Sequence, residues 1–181
     1  MVETCFIEGL FIVMPKKFCD DRGFFSETYN RQALAEAGFD KEFVQDNHSL
    51  SREVGVLRGL HFQSPPYAQD KLVRVLKGAI FDVAVDLRRS SPTYGKHFAI
   101  ELSADNWLQL LVPIGFAHGF CTLVPDTEVS YKVTNRYAPE NDSGLIWNDA
   151  DLAINWPLTT PPVLSSKDAS LPRFCDFDSP F

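Results

Sequence analysis

Long apolar runs are missing from this chain. None in its 181 residues approaches the roughly 20 that a helix needs to cross a bilayer, which argues against a membrane protein of the helical kind. A surplus of positive charge is missing too. Lysine and arginine number 17 against 24 aspartate and glutamate, for a formal net charge of -7. Broad adhesion to nucleic acid or to an anionic membrane needs an extended basic surface, so neither is expected as a partner. Any anionic ligand must instead meet a local cluster of cations. The start MVETCFIEGLF places Glu3 and Glu8 where a signal peptide carries positive charge, and the chain reads as cytoplasmic. Paired-cysteine spacings are absent: Cys5, Cys19, Cys121 and Cys175 are scattered, with no Cys-x-x-Cys and no Cys/His pairing of zinc type. They read as idle thiols in a reducing compartment. Helix signals are scarce. Only Arg31 to Ala37 carries them, with Asn30 as the N-cap and Gly38 as the stop.

What the chain does have is apolar and aromatic residues in short runs. Hydrophobic residues make up 45% and charged residues 23%, with 15 Phe and 12 Pro. These proportions predict one folded domain over residues 1–181, built from many short strands around an aromatic-rich interior. In KLVRVLKGAIFDVAVDLR, Val73 and Val75 alternate before Lys77-Gly78, and Phe81, Val83 and Val85 alternate with Ile80, Asp82, Ala84 and Asp86 after it. That pattern predicts a hairpin with two distinct faces. HFAIELS, LQLLVPIG, GFCTL, TEVSYKVT and GLIWN follow, each bounded by Pro, Gly, Asn or Asp. The fold class is therefore all-β, a sandwich or barrel. The Pro-rich segment from about residue 156 is expected to be irregular and to wrap over the barrel mouth. No internal repeat or linker interrupts the chain.

Several residues in these strands can carry chemistry. Asp82 and Asp86 share a face; Asp86 is expected to be solvated, and Asp82, in mid-strand, is the accessory candidate for a polar pocket. The run Arg58-Gly59-Leu60-His61-Phe62-Gln63 holds a cation, a base and an amide within six residues. Straight alternation puts Arg58 and His61 on opposite faces, so both serve one site only if the strand is kinked, and Gly59 is where a bulge would do it. Pro113-x-Gly115-x-x-His118 resembles the second motif of the cupin superfamily. The first cupin motif needs His-x-His and a following Glu, whereas His61 is followed by Phe62, Gln63, Ser64 and two prolines. The ligand set for a metal is incomplete, so no metal and no cofactor are expected.

Taken in order, these stretches resemble the dTDP-4-dehydrorhamnose 3,5-epimerase family along nearly the whole chain. The matching segments are Asp20-x-Arg22-Gly23-x-Phe25-x-Glu27, Gln45-Asp46-Asn47-His48-Ser49, Val56 to Gln63, Lys71 to Val75, Phe81 to Asp86, Pro113 to Phe120, Tyr131-Lys132 and Leu164-Ser165-x-Lys167-Asp168. The resemblance implies a cupin-type double-stranded β-helix, or jelly roll, and a homodimer. It also implies conversion of dTDP-4-dehydro-6-deoxy-D-glucose to dTDP-4-dehydro-L-rhamnose by inversion at carbons 3 and 5. Both hydrogens are acidic because they flank the carbon 4 ketone, and each inversion needs a base on one face and an acid on the other.

By the same resemblance His61 is the base, with Asp168 as its carboxylate partner. Tyr131 is the opposite-face acid, and Lys71 stabilises the enolate oxygen. Arg22, Arg58 and Lys167 meet the diphosphate; Glu27, Gln45, Asn47 and His118 are polar contacts; Tyr137 stacks on the thymine. Asp142 stands near where many relatives carry Glu, which shortens its reach by one methylene. The N-terminal FIEGLFIV is expected to be a strand that adds to a neighbour's sheet edge. The rivals are a metal-dependent cupin oxygenase or isomerase, an epimerase acting at a single centre, and a catalytically silent sugar-nucleotide binding module.

Overall fold

The computed structural model describes residues 2–181. Two antiparallel sheets face each other. The larger is built from β1 (Val2–Thr4), β2 (Phe11–Val13), β5 (Gln45–Ser51), β7 (Lys71–Lys77), β10 (Gln109–Val112) and β12 (Thr127–Val133), in the order β1-β2-β10-β7-β12-β5. The smaller holds β6 (Leu57–Gln63), β8 (Ala79–Asp86), β9 (His97–Ser103), β11 (Phe116–Thr122) and β13 (Asp142–Gly144), in the order β13-β6-β11-β8-β9. A separate ribbon, β3 (Lys17–Asp20) and β4 (Gly23–Ser26), lies outside both. From β5 to β13 the chain passes from one sheet to the other at every step but β8 to β9, which is the jelly-roll connection of the cupin type. No described helix is long and apolar enough to cross a membrane.

The expected hairpin at Lys77-Gly78 is corrected by this topology. Both strands form where the alternation placed them, but β7 pairs with β10 and β12, while β8 pairs with β11 and β9. Gly78 turns a corner between sheets. Its φ is +82°, and a Cβ there would stand 2.4 Å from Thr127 Oγ1, so the chain folds over β12 at a point only glycine fits. The FIEGLFIV strand is also corrected: residues 6–9 form a turn and only Phe11–Val13 is strand, paired between β1 and β10. Of GLIWN only Gly144 belongs to a strand, at the end of β13. The helix α1 (Arg31–Glu36) is as expected, with the Asn30 side chain accepting from Ala33 N at 3.1 Å.

Period-two alternation divides the apolar residues into layers. Val73, Val75, Leu110, Val112 and Val129 of the larger sheet meet Ile80, Ala84, Leu102, Phe116 and Phe120 of the smaller to form the interior cluster. Leu60, Phe62, Val83 and Val85 point the other way, and Trp156, Phe174, Phe177 and Phe181 of the C-terminal segment pack on them. That segment has little regular structure, and its aromatic side chains cover the outer face of the smaller sheet. Helix α1 and Phe39 cover the outer face of the larger sheet at Leu72 and Leu111. Each such side chain, fully buried, contributes roughly 1.5–3 kcal/mol.

Asp86 is the other correction. It was expected to be solvated and is fully buried, accepting from Arg88 at 2.8 and 2.7 Å, Ser91 at 2.6 Å and Thr93 at 2.7 Å. Burial alone would raise its pKa, but these donors win and hold it at about 2. Its work is to close the loop between β8 and β9.

Candidate active site

The interior is apolar at one side and polar at the other. Where β5, β12 and the start of β7 in the larger sheet face β6 and β11 of the smaller, the inward positions are Gln45, Asn47, Tyr131, Lys71, Arg58, His61, Gln63 and His118 rather than valine and leucine. Register brings most of the expected residues together. Tyr131 pairs with Asn47 on one side and Val73 on the other, and His118 lies directly across from His61.

Arg58 and His61 share a face because β6 carries a bulge. His61 pairs with His118 and Arg58 with Phe120, so three steps along β6 answer two along β11. Gly59 makes this possible: its φ is +135°, and a Cβ there would sit 2.5 Å from Gly119 Cα. The kink that Gly59 suggested is present, and its cause is the close approach of two glycine backbones.

His61 Nε2 is hydrogen-bonded to Asp168 Oδ1. Because a carboxylate accepts, Nε2 carries the proton and Nδ1 keeps its lone pair. Asp168 begins a single 3-10 turn (Asp168–Ser170) in the C-terminal segment and is buried. Its Oδ2 accepts from Ser165 Oγ at 2.8 Å. Burial raises the Asp168 pKa, but hydrogen bonds from His61, Ser165 and the Gly59 backbone outweigh it, leaving the carboxyl below its usual range.

Lys71 is buried at the start of β7, with Nζ donating to the His61 carbonyl at 3.2 Å. Desolvation pulls its pKa from 10.5 down to about 8, against the opposing pull of Asp142 and Asp82. Tyr131 sits on β12, beside β7 in the same larger sheet and across the lumen from His61. Burial pushes its phenol upward, Arg58 opposing and Asp142 adding, so it stays protonated at neutral pH.

A second imidazole–carboxylate pair lies deeper, His118 Nε2 to Asp82 Oδ1 at 2.8 Å. At the rim, Asp142 Oδ2 accepts from Tyr137 OH at 3.0 Å and from Lys167 Nζ at 2.5 Å. Tyr137 N donates to Gln45 Oε1 at 3.2 Å, and Gln45 Nε2 to Asn47 Oδ1 at 2.8 Å. Arg58 Nε donates to Ser51 Oγ at 3.3 Å. Two expected residues stand apart from this group. Arg22, at the tip of the β3–β4 ribbon, is exposed and bound to Asp20, and Glu27 accepts from Asn30.

Sequence reasoning names two contributors within motifs and gives neither a role. Gln63 is buried and joins Tyr67 O, Arg136 O and Ala138 N, which fixes the loop carrying Tyr137. Ser165 was noticed only as part of a motif; a serine three residues before an aspartate is the spacing of a local side-chain turn, and that was the available signal.

Known proteins match this chain closely. The family model described as dTDP-4-dehydrorhamnose 3,5-epimerase matches residues 4–176. A protein of that name from Sinorhizobium fredii is 53% identical over 170 residues, spanning 94% of this chain and 87% of the relative. A crystal structure of the Bacillus anthracis protein of that name, with TDP and PPi bound, superposes with a TM-score of 0.93 at 53% identity, covering 96% of this chain and 99% of the other. The Legionella pneumophila dTDP-6-deoxy-D-glucose-3,5-epimerase, in complex with dTDP-4-keto-L-rhamnose, gives a TM-score of 0.94 at 44% identity over 98% and 94% of the two chains.

Proposed function

The chain belongs to the dTDP-4-dehydrorhamnose 3,5-epimerase family, isomerases that invert carbons 3 and 5 of a dTDP-linked 4-keto-6-deoxy sugar, and we propose that His61, Asp168, Tyr131 and Lys71 carry that reaction here. The observation that supports it most is the placement of an imidazole, braced by a buried carboxylate, on one wall of the lumen and a half-buried phenol on the other. His61 Nδ1 takes the proton from the carbon beside the ketone. The electron pair moves onto the carbonyl oxygen, where the Lys71 ammonium meets the enolate charge. Tyr131 returns a proton to the opposite face, and solvent resets the phenol and the imidazolium. General acid–base help of this kind contributes roughly 10²–10⁴ in rate, and a well-placed charge partner about 10²–10³.

Arg58, Lys167, Gln45, Asn47 and His118 are assigned to the nucleotide and sugar, with Tyr137 as the base platform on the open rim. Arg22 and Glu27 do not reach the cluster within their own chain. Phe18, Phe24 and Phe25 are exposed on the ribbon that holds Arg22, Phe25 at 71%. An apolar ribbon of this kind favours burial against another chain. We therefore place both residues in the site of a second copy, in a homodimer. The cytoplasm is the assigned compartment, which the four unpaired cysteines suit.

Incubating the protein with the 4-keto sugar nucleotide in heavy water tests the reading. Deuterium should enter carbons 3 and 5 as the sugar inverts. A bound but unlabelled sugar would make this a binding module and remove the proposed roles.

A further inference from the structure

We propose that Ser165 is a positioning residue for the epimerisation, orienting the Asp168 carboxylate so that one oxygen is committed to His61; the inference rests on the His61–Asp168 reading above. Asp168 is not held by a sheet ladder. Upstream its segment is tied to the barrel by Leu57 N to Val163 O at 3.0 Å and Val163 N to Gly55 O at 2.9 Å. Downstream the next tie is Ile146 N to Pro172 O at 2.8 Å. Between them an aspartate with two free side-chain torsions must present a single oxygen to an imidazole on β6. Left alone, a carboxylate samples several rotamers and offers either oxygen.

Beside the Gly59 backbone donor, Ser165 restricts that freedom. Its Oγ donates to Asp168 Oδ2 at 2.8 Å and accepts from the Asp168 backbone N–H at 3.1 Å, while the Ser165 carbonyl accepts from Ala169 N at 3.1 Å. The pair of reciprocal bonds closes a ring around the aspartate torsions. With Oδ2 taken, Oδ1 is the oxygen left for His61 Nε2. The hydroxyl also favours the ionised carboxyl, which must stay charged while the imidazolium exists. Ser165 is itself exposed, so replacing it perturbs packing little.

Ser165→Ala and Ser165→Thr, measured beside the parent enzyme, decide the matter. Ser165→Ala is expected to lower kcat about tenfold while KM and dTDP affinity stay within about twofold, as for loss of an orienting bond rather than of substrate binding. The acid limb of its kcat/KM profile should move to higher pH, because Asp168 loses a donor that held it ionised. Ser165→Thr keeps the hydroxyl and should restore most of the rate and the parent profile. Parent kcat and an unshifted profile in Ser165→Ala would overturn the proposal. So would equal losses in both variants that track a fall in melting temperature, which would mark a structural role. His61→Ala serves as the control on the site itself: if it kept parent turnover, the dyad reading would fail whatever Ser165 did.

Discussion

Two histidines stand face to face across β6 and β11, each bound through Nε2 to an aspartate, and their surroundings differ. His118 and Asp82 both come from strands of the smaller sheet, with side chains 8% and 0% exposed. His61 is 30% exposed, and its partner Asp168 comes from the irregular C-terminal segment. The first pair is locked into the sheet. The second leaves an imidazole open to the lumen and draws its acid from a separate part of the chain. Equal chemistry in two settings thus yields a load on the fold in one case and an accessible base in the other.

The widest separation between the pairs should come from deleting each imidazole. His61→Ala is expected to lower kcat by about 10²–10⁴, with Tyr131→Phe falling in the lower part of that range, and both should keep their nucleotide affinity and melting temperature. Steady-state rates alongside dTDP titration check this. Full activity in Tyr131→Phe would take that residue out of the acid role.

His118→Ala should cost stability as well as the sugar contact assigned to His118. Asp82 Oδ2 has no hydrogen-bond partner among the described residues, so losing His118 leaves a buried carboxylate with neither oxygen bonded. The expected cost is roughly 1–3 kcal/mol in chemical denaturation. An unchanged unfolding midpoint would erase the contrast between the two pairs.

The smallest effect is a pH limb belonging to Lys71. Since burial lowers its pKa from 10.5 to about 8, kcat should decline as pH rises through that value and the ammonium facing the enolate loses its proton. The linkage to folding has the opposite sign. Between about 8 and 10.5 the unfolded chain binds more protons at this group than the folded one, so Lys71 favours folding more as pH rises there. A falling rate in that window is therefore not explained by unfolding driven from Lys71. A flat kcat from pH 7 to 9.5 would separate the ammonium from the reaction.

Much of this was legible in the chain. Alternation at Val73–Val75 and Ile80–Asp86 marked real strands, Asn30 and Gly38 bracketed the helix, and Gly59 flagged the bulge that turns Arg58 toward the face of His61. Alternation is a local property, so it says which side chains share a face but not which strand lies alongside. That is why Lys77-Gly78 looked like a hairpin and is a corner between sheets. Asp86 looked solvated because its three side-chain donors, Arg88, Ser91 and Thr93, belong to a loop whose path back over the strand is not encoded in the strand's own period.

By itself the sequence determined an acidic all-β chain of short strands, one capped helix, and the residue types of a proton-transfer site. Only the folded chain decided that Asp168 meets His61 across 107 positions, that Tyr131 faces them from the other sheet, and that Arg22 lies elsewhere. The reason is physical: hydrophobic periodicity fixes orientation within a strand, whereas the distance between strands and loops is set by which faces exclude water together.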